Sequence, residues 1–151
     1  MKNMRFLASF AAFALSLSTA MAVNPPGWTD DYAKAVEKAK TEKKNILLDF
    51  TGSDWCGYCM ALDKEVFSTP KFKTWAKANV ILVKVDFPHG LKLPKKTVDQ
   101  NNELKSKYPF GGYPTVMVVD TDGKVLSKKS GYSPGSGPAA YIEGLDAALK
   151  K

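Results

Sequence analysis

Apolar residues recur along the chain with two periods. Tyr32, Ala35, Val36 and Ala39 repeat at helical spacing, which predicts a helix capped by Asp30 or Asp31 and running to about Lys43. Asn45 to Phe50 is a short apolar run of strand length, followed by the polar turn Thr51 to Trp55. A helix is expected from Gly57 to about Val66, with Met60, Leu62, Val66 and Phe67 as apolar contacts. Thr69-Pro70 breaks it, and Lys71 to Ala78 reads as a second short helix. Val80 to Val85 is a second strand, Phe87 to Lys96 a loop rich in Pro and Gly, and Val98 to Tyr108 a helix with Leu104 inward. Thr115 to Val119 and Lys124 to Lys128 flank Asp120-Thr121-Asp122-Gly123, a strong hairpin turn. Ala139 to Leu149 closes the chain as a helix with Ile142, Leu145 and Leu149 on one face.

Strands that alternate with helices and then end in a hairpin predict an α/β fold, a mixed central sheet with helices on both faces. The 151 residues and an apolar fraction of 44% suit one domain with a compact core.

The first 22 residues differ from the rest. Lys2 and Arg5 form a positive head, Phe6 to Leu17 is apolar apart from Ser9 and Ser16, and Ala20-Met21-Ala22 matches a small-x-small cleavage site. This predicts a secretory signal peptide over 1–22, cut after Ala22, ahead of a domain over 23–151. The apolar run is shorter than the ~20 residues of a spanning helix, which disfavours an uncleaved anchor. Cleavage would remove Arg5, the sole Arg, and lower the net charge from +7 to +5. The remaining cations are Lys mixed with Asp and Glu, a solvated surface with no basic stripe, so nucleic-acid binding is not expected. Export puts the protein in the periplasm or another space outside the cytoplasm.

The two cysteines, Cys56 and Cys59, carry the chemistry. A staple closing so short a loop constrains the unfolded chain very little. A first cysteine at a helix start lies beside unpaired backbone N–H groups and the positive end of the helix dipole, which favour thiolate. The second, one turn inward, can attack a mixed disulfide formed by the first. Cys56 is therefore read as nucleophile and Cys59 as resolving thiol, with Gly57 opening the helix, Trp55 limiting solvent access and Tyr58 shielding the disulfide. A zinc site would need four ligands; only His89 and carboxylates remain, so no metal is expected.

Leu47-Leu48-Asp49-Phe50, Trp55-Cys56-Gly57-Tyr58-Cys59 and Gly112-Tyr113-Pro114-Thr115, in that order, resemble the thioredoxin-like superfamily, with the Asp120–Gly123 turn and Gly131 following in place. The stretch Cys59 to Pro70 is similar to exported members: the C-terminal domain of the membrane electron transporter DsbD and small chlamydial periplasmic oxidoreductases of the DsbH type. The Gly-Tyr dipeptide is shared with the periplasmic isomerase DsbC. The resemblance implies a cis Tyr113–Pro114 bond facing the Cys pair, with the Tyr113 backbone pairing an extended substrate segment. It also implies that Asp49 takes the proton from Cys59. Asp49 and Lys84 each interrupt an apolar strand, so Lys84 is expected as the partner of Asp49. The turn from Asp49 to Cys56 is one residue longer than in thioredoxin itself.

Phe87, Phe110 and Tyr113 read either as a substrate groove or as core, His89 as an exposed loop residue, and the Phe87–Lys96 loop as a place for partner specificity. The whole predicts a monomeric thiol–disulfide oxidoreductase that exchanges with protein thiols and disulfides. It needs no cofactor and is favoured as a reductase or relay fed by a membrane electron donor. An isomerase, or a non-catalytic peptide-binding protein with a locked disulfide, are the other readings.

Overall fold

In a computed structural model, which describes residues 24–150, the first helix starts where a side chain can hold its open end. The Asp31 carboxylate accepts the Lys34 amide at 3.1 Å and begins α1 (Tyr32–Glu42). The helix stops at Lys43, whose left-handed backbone (φ 52°) returns its N–H to the carbonyls of Ala39 and Lys40. Thr69 caps α3 (Pro70–Asn79) in the same way through the Phe72 amide, with Pro70 at the first helical position. The segment 1–22, expected as a signal peptide, lies outside the described residues.

The sheet contains β1 (Trp28–Thr29), β2 (Asn45–Thr51), β3 (Val80–Asp86), β4 (Thr115–Val119) and β5 (Val125–Ser130), in the order β1-β3-β2-β4-β5. β3 runs parallel to β1 and β2, whereas β4 pairs antiparallel with both β2 and β5. The sheet is therefore mixed, as the strand–helix alternation and the hairpin predict. β1 is the strand that the sequence reading lacks, because two residues carry no periodicity.

α2 (Gly57–Leu62) and α3 cover one face with α5 (Gly137–Leu149), and α1 and α4 (Lys95–Lys107) cover the other. Alternate residues of β2 divide between two cores. Leu47 joins Leu62, Val66, Phe72 and Tyr141, and Ile46, Leu48 and Phe50 join Ala39, Leu104 and Met117. Central strands buried on both faces read as near-continuous apolar runs, which is why Asn45–Phe50 and Val80–Val85 are legible despite Asp49 and Lys84. Among the described residues no helix is long and apolar enough to cross a membrane.

α2 does not stop at Leu62. It continues through a single π-helical turn, Asp63–Phe67, in which the Ser68 amide reaches back to the Asp63 carbonyl at 2.8 Å. Within this turn Val66 and Phe67 are buried, while the Glu65 carboxylate accepts from the Tyr132 hydroxyl and the Gly135 amide, each at 2.7 Å. These bonds hold the Glu65 carboxyl below its ordinary pKa and fasten the loop between β5 and α5 to the arm that carries the cysteines.

Candidate active site

Cys56 and Cys59 are joined in a disulfide at the C-terminal end of β2. Cys56 is the N-cap of α2, and its Sγ accepts the Cys59 amide at 3.2 Å. A sulfur at this position takes the place of the side-chain oxygen that normally caps a helix, so a thiolate there would be met by a donor already aimed at it. Both cysteines are largely covered, Cys56 with 6% and Cys59 with 4% of its surface exposed. Tyr58 (60%) and Met60 (48%) stand out into solvent around them.

Beneath Cys59 lies a cavity of about 110 Å³ that Asp49, Lys84 and Asp63 also line. Asp49 is 6% exposed, and its Oδ1 has no hydrogen-bond partner. Burial drives its pKa up to about 8, against the pull of the Lys84 ammonium and with the help of Asp63 and Asp86. Lys84 is the register neighbour of Asp49 across β2 and β3, but its ammonium forms an ion pair with Asp86, at 3.6 Å. The expected Asp49–Lys84 ion pair is thus replaced by a longer-range attraction. The reason is local: Asp86 lies two residues along the same strand and on the same face as Lys84, and its carboxylate also accepts from the Ser53 amide (3.0 Å) and hydroxyl (2.5 Å).

The turn from β2 to Cys56 is held from outside the motif. Gly52 is required there because a Cβ would overlap the Trp55 indole. Trp55 Nε1 donates to the Phe87 carbonyl at 2.8 Å, and the His89 ring stacks on the indole with centroids 4.6 Å apart and planes 6° from parallel. Asp54 accepts from three consecutive amides, those of His89 (2.9 Å), Gly90 (2.6 Å) and Leu91 (3.1 Å), which lower its carboxyl pKa. The edge of Tyr113 meets Trp55 at 5.5 Å. The Tyr113–Pro114 bond is cis, and Pro114 is buried immediately before β4. Phe87, Phe110 and Tyr113 pack partly against the core on the α1 and α4 side, and Phe87 and Tyr113 also line a groove beside Trp55.

Comparison with known proteins agrees with this geometry. A family model described as thioredoxin-like matches residues 27–121. The chain belongs to the thioredoxin-like family. Among its relatives is the disulfide bond reductase DsbH of Chlamydia pneumoniae, 38% identical over 121 residues that make up 80% of this chain and 72% of that protein. The solved structure of a DsbH oxidoreductase superposes with a TM-score of 0.76 at 34% identity, covering 94% of this chain and 95% of that one. The C-terminal domain of DsbD from Neisseria meningitidis, in its reduced form, shares the fold with a TM-score of 0.56 at 21% identity, over 80% of this chain and 98% of the other.

This thioredoxin-like chain is a thiol–disulfide oxidoreductase with a disulfide at the CxxC spacing. Its family pattern lies in β2, the cysteine turn and the start of β4, all of which the structure gathers at one end of the sheet. The Asp54 clamp and the His89–Trp55 stack lie outside that pattern. A carboxylate before Trp55 and a Pro-His-Gly loop were visible, yet nothing in one sequence links residues 35 positions apart.

Proposed function

We propose that the protein is an exported reductase of protein disulfides, with Cys56 as attacking thiolate and Cys59 as resolving thiol. The observation that carries the assignment is the cap: the Cys56 sulfur faces the Cys59 amide at the open end of α2, whereas Cys59 faces inward onto the Asp49 cavity.

In the reduced protein, the Cys56 thiolate attacks one sulfur of a substrate disulfide and expels the other as a thiolate, which takes a proton from solvent. Asp49 in its ionised form takes the proton of Cys59. The Cys59 thiolate then attacks Cys56 Sγ, breaks the mixed disulfide and releases the second substrate thiol. Two electrons have passed to the substrate, and the protein is left with the Cys56–Cys59 disulfide. A dithiol donor, proposed to be membrane-borne, restores it. Lys84 adds positive field at the cavity and favours the ionised Asp49, while Trp55 and Tyr58 screen the sulfurs from water. Tyr113 and Pro114 present backbone to the extended segment on either side of the substrate cysteine. No metal or organic cofactor takes part, because the electrons move between sulfurs, and the domain acts as a monomer.

The reductive direction is supported by the likeness to a protein named as a disulfide bond reductase. It is tested by the equilibrium redox potential of the Cys56–Cys59 pair against glutathione. A value near thioredoxin's, about −270 mV, is expected; one near that of DsbA, about −120 mV, would make the protein an oxidant instead. Export is supported by the charged head, apolar run and Ala20-Met21-Ala22 site. N-terminal sequencing of the protein from the extracytoplasmic fraction should begin at Val23, and an intact Met1 terminus in the membrane fraction would refute cleavage.

A further inference from the structure

Beside the redox pair, on the far side of Trp55, a groove of about 460 Å³ runs between the 87–93 loop and α4. Its apolar lining comes from Phe87, Leu91, Leu93 and Val98, and Trp55 and Tyr113 connect it to the cysteines. Leu91 and Val98 are 50% and 40% exposed, and with Trp55 they leave apolar surface open to solvent along this groove. The wall is fixed by the three amides held on Asp54 and by the Trp55–Phe87 hydrogen bond, so the groove is built before any ligand arrives.

One cation stands at its rim. The Lys105 ammonium donates to the Tyr113 hydroxyl at 3.1 Å and lies 5.2–5.9 Å from the ring centres of Phe87, Phe110 and Tyr113. Among the described residues it forms no ion pair. Asp86, a carboxylate in the groove lining, is buried and already taken by Ser53 and Lys84. The groove therefore combines an apolar floor with a positive charge that has no carboxylate.

We propose that this groove is a substrate-selection site that takes the segment flanking the substrate cysteine, with an aliphatic or aromatic side chain on the floor and an acidic residue against Lys105. The proposal rests on the reductase reading, since it places the substrate polypeptide across Trp55 from Cys56. The site discriminates among protein disulfides and leaves the sulfur chemistry to the cysteines.

The test uses the reduced full-length protein and disulfide-linked peptides that differ at two positions beside the cysteine, Leu or Ser and Glu or Lys. The rate with hydroxyethyl disulfide, small and uncharged, serves as the measure of the sulfur chemistry, and peptide kcat/KM values are read relative to it. The Leu-Glu peptide should exceed its Ser-Glu counterpart about tenfold, as expected for burying much of one aliphatic side chain. It should exceed its Leu-Lys counterpart about three- to fivefold, as for an exposed charge pair. The charge preference should vanish in Lys105→Gln and reverse in Lys105→Glu, and it should shrink with added salt. Equal rates for all peptides with the wild-type protein, or a Glu preference that survives in Lys105→Glu, would overturn the proposal. Failure to reduce hydroxyethyl disulfide at all would instead overturn the reductase reading, and the selection site with it.

Discussion

Reduced Cys59→Ser protein mixed with a disulfide-bonded protein should accumulate as a covalent adduct through Cys56, and Cys56→Ser should form none and show no reductase activity above background. The adduct is a dead end because the thiol that would break it is gone. In the intact protein, Cys59 lies one turn into α2, with a Cα–Cα distance to Cys56 of 5.2 Å in the disulfide, so the resolving sulfur is carried on the same helix within bonding reach of Cys56. Non-reducing electrophoresis and intact-mass measurement would read the adduct directly. Adducts with Cys56→Ser and none with Cys59→Ser would reverse the assignment of attacker and resolver.

Asp49→Asn should make the folded protein more stable, by roughly 2–4 kcal/mol at neutral pH, since each pKa unit is worth about 1.4 kcal/mol. The sign follows from the direction of the shift. The folded protein raises the Asp49 pKa from the ordinary 3.8 to about 8, so it holds this proton where the unfolded chain has lost it. Stability from the protonated carboxyl is complete below about pH 4, and it declines as pH rises towards 8. The gain from Asn should therefore be near zero at pH 4, grow through neutrality and level off above about pH 8. Urea denaturation at several pH values measures it, and a gain that did not change with pH would remove the buried charge as its cause. The same variant should prolong the life of the mixed disulfide, since the proton of Cys59 would lose its acceptor. A buried carboxyl kept beside the resolving thiol is a cost to folding at neutral pH that its role in proton transfer offsets.

Much of this organisation is legible in the residues themselves. Asn45–Phe50 and Val80–Val85 announce β2 and β3 because both faces of these strands are covered, leaving no polar alternation to confuse them. Asp31, one of two candidate caps, marks a helix start through chemistry local to the chain, whereas Thr69-Pro70, which reads as a break, also opens α3. The start of α4 was harder to see. The helix begins at Lys95 rather than Val98, because its first turn faces solvent and Pro94 only permits a start without announcing one. The helix does extend from Gly57 past Val66 as expected, but the π character of its last turn has no local signature, since Glu65 in that turn is held by Tyr132 and Gly135, about 70 residues away. At the site, the cysteines and Tyr113-Pro114 stand out as a pattern of types and spacings. The Lys84–Asp86 pair does not, because choosing between two carboxylates for one ammonium requires knowing the face and reach of each side chain.

The two borders of the sheet have a consequence for how the protein meets unfolded chains. One border strand, β1, offers two residues, and the other, β5, carries Lys128 and Lys129 in a largely polar run. The charged border makes a poor template for an incoming extended chain, and on the other side β1 interrupts the open edge of β3 at Leu82 and Val83. In the proposed reductase role the protein would meet extended substrate segments able to pair with any open sheet edge. In that role contact would be left to the cysteine end, where thiol exchange releases it, so repeated encounters need not seed clumping of enzyme with substrate.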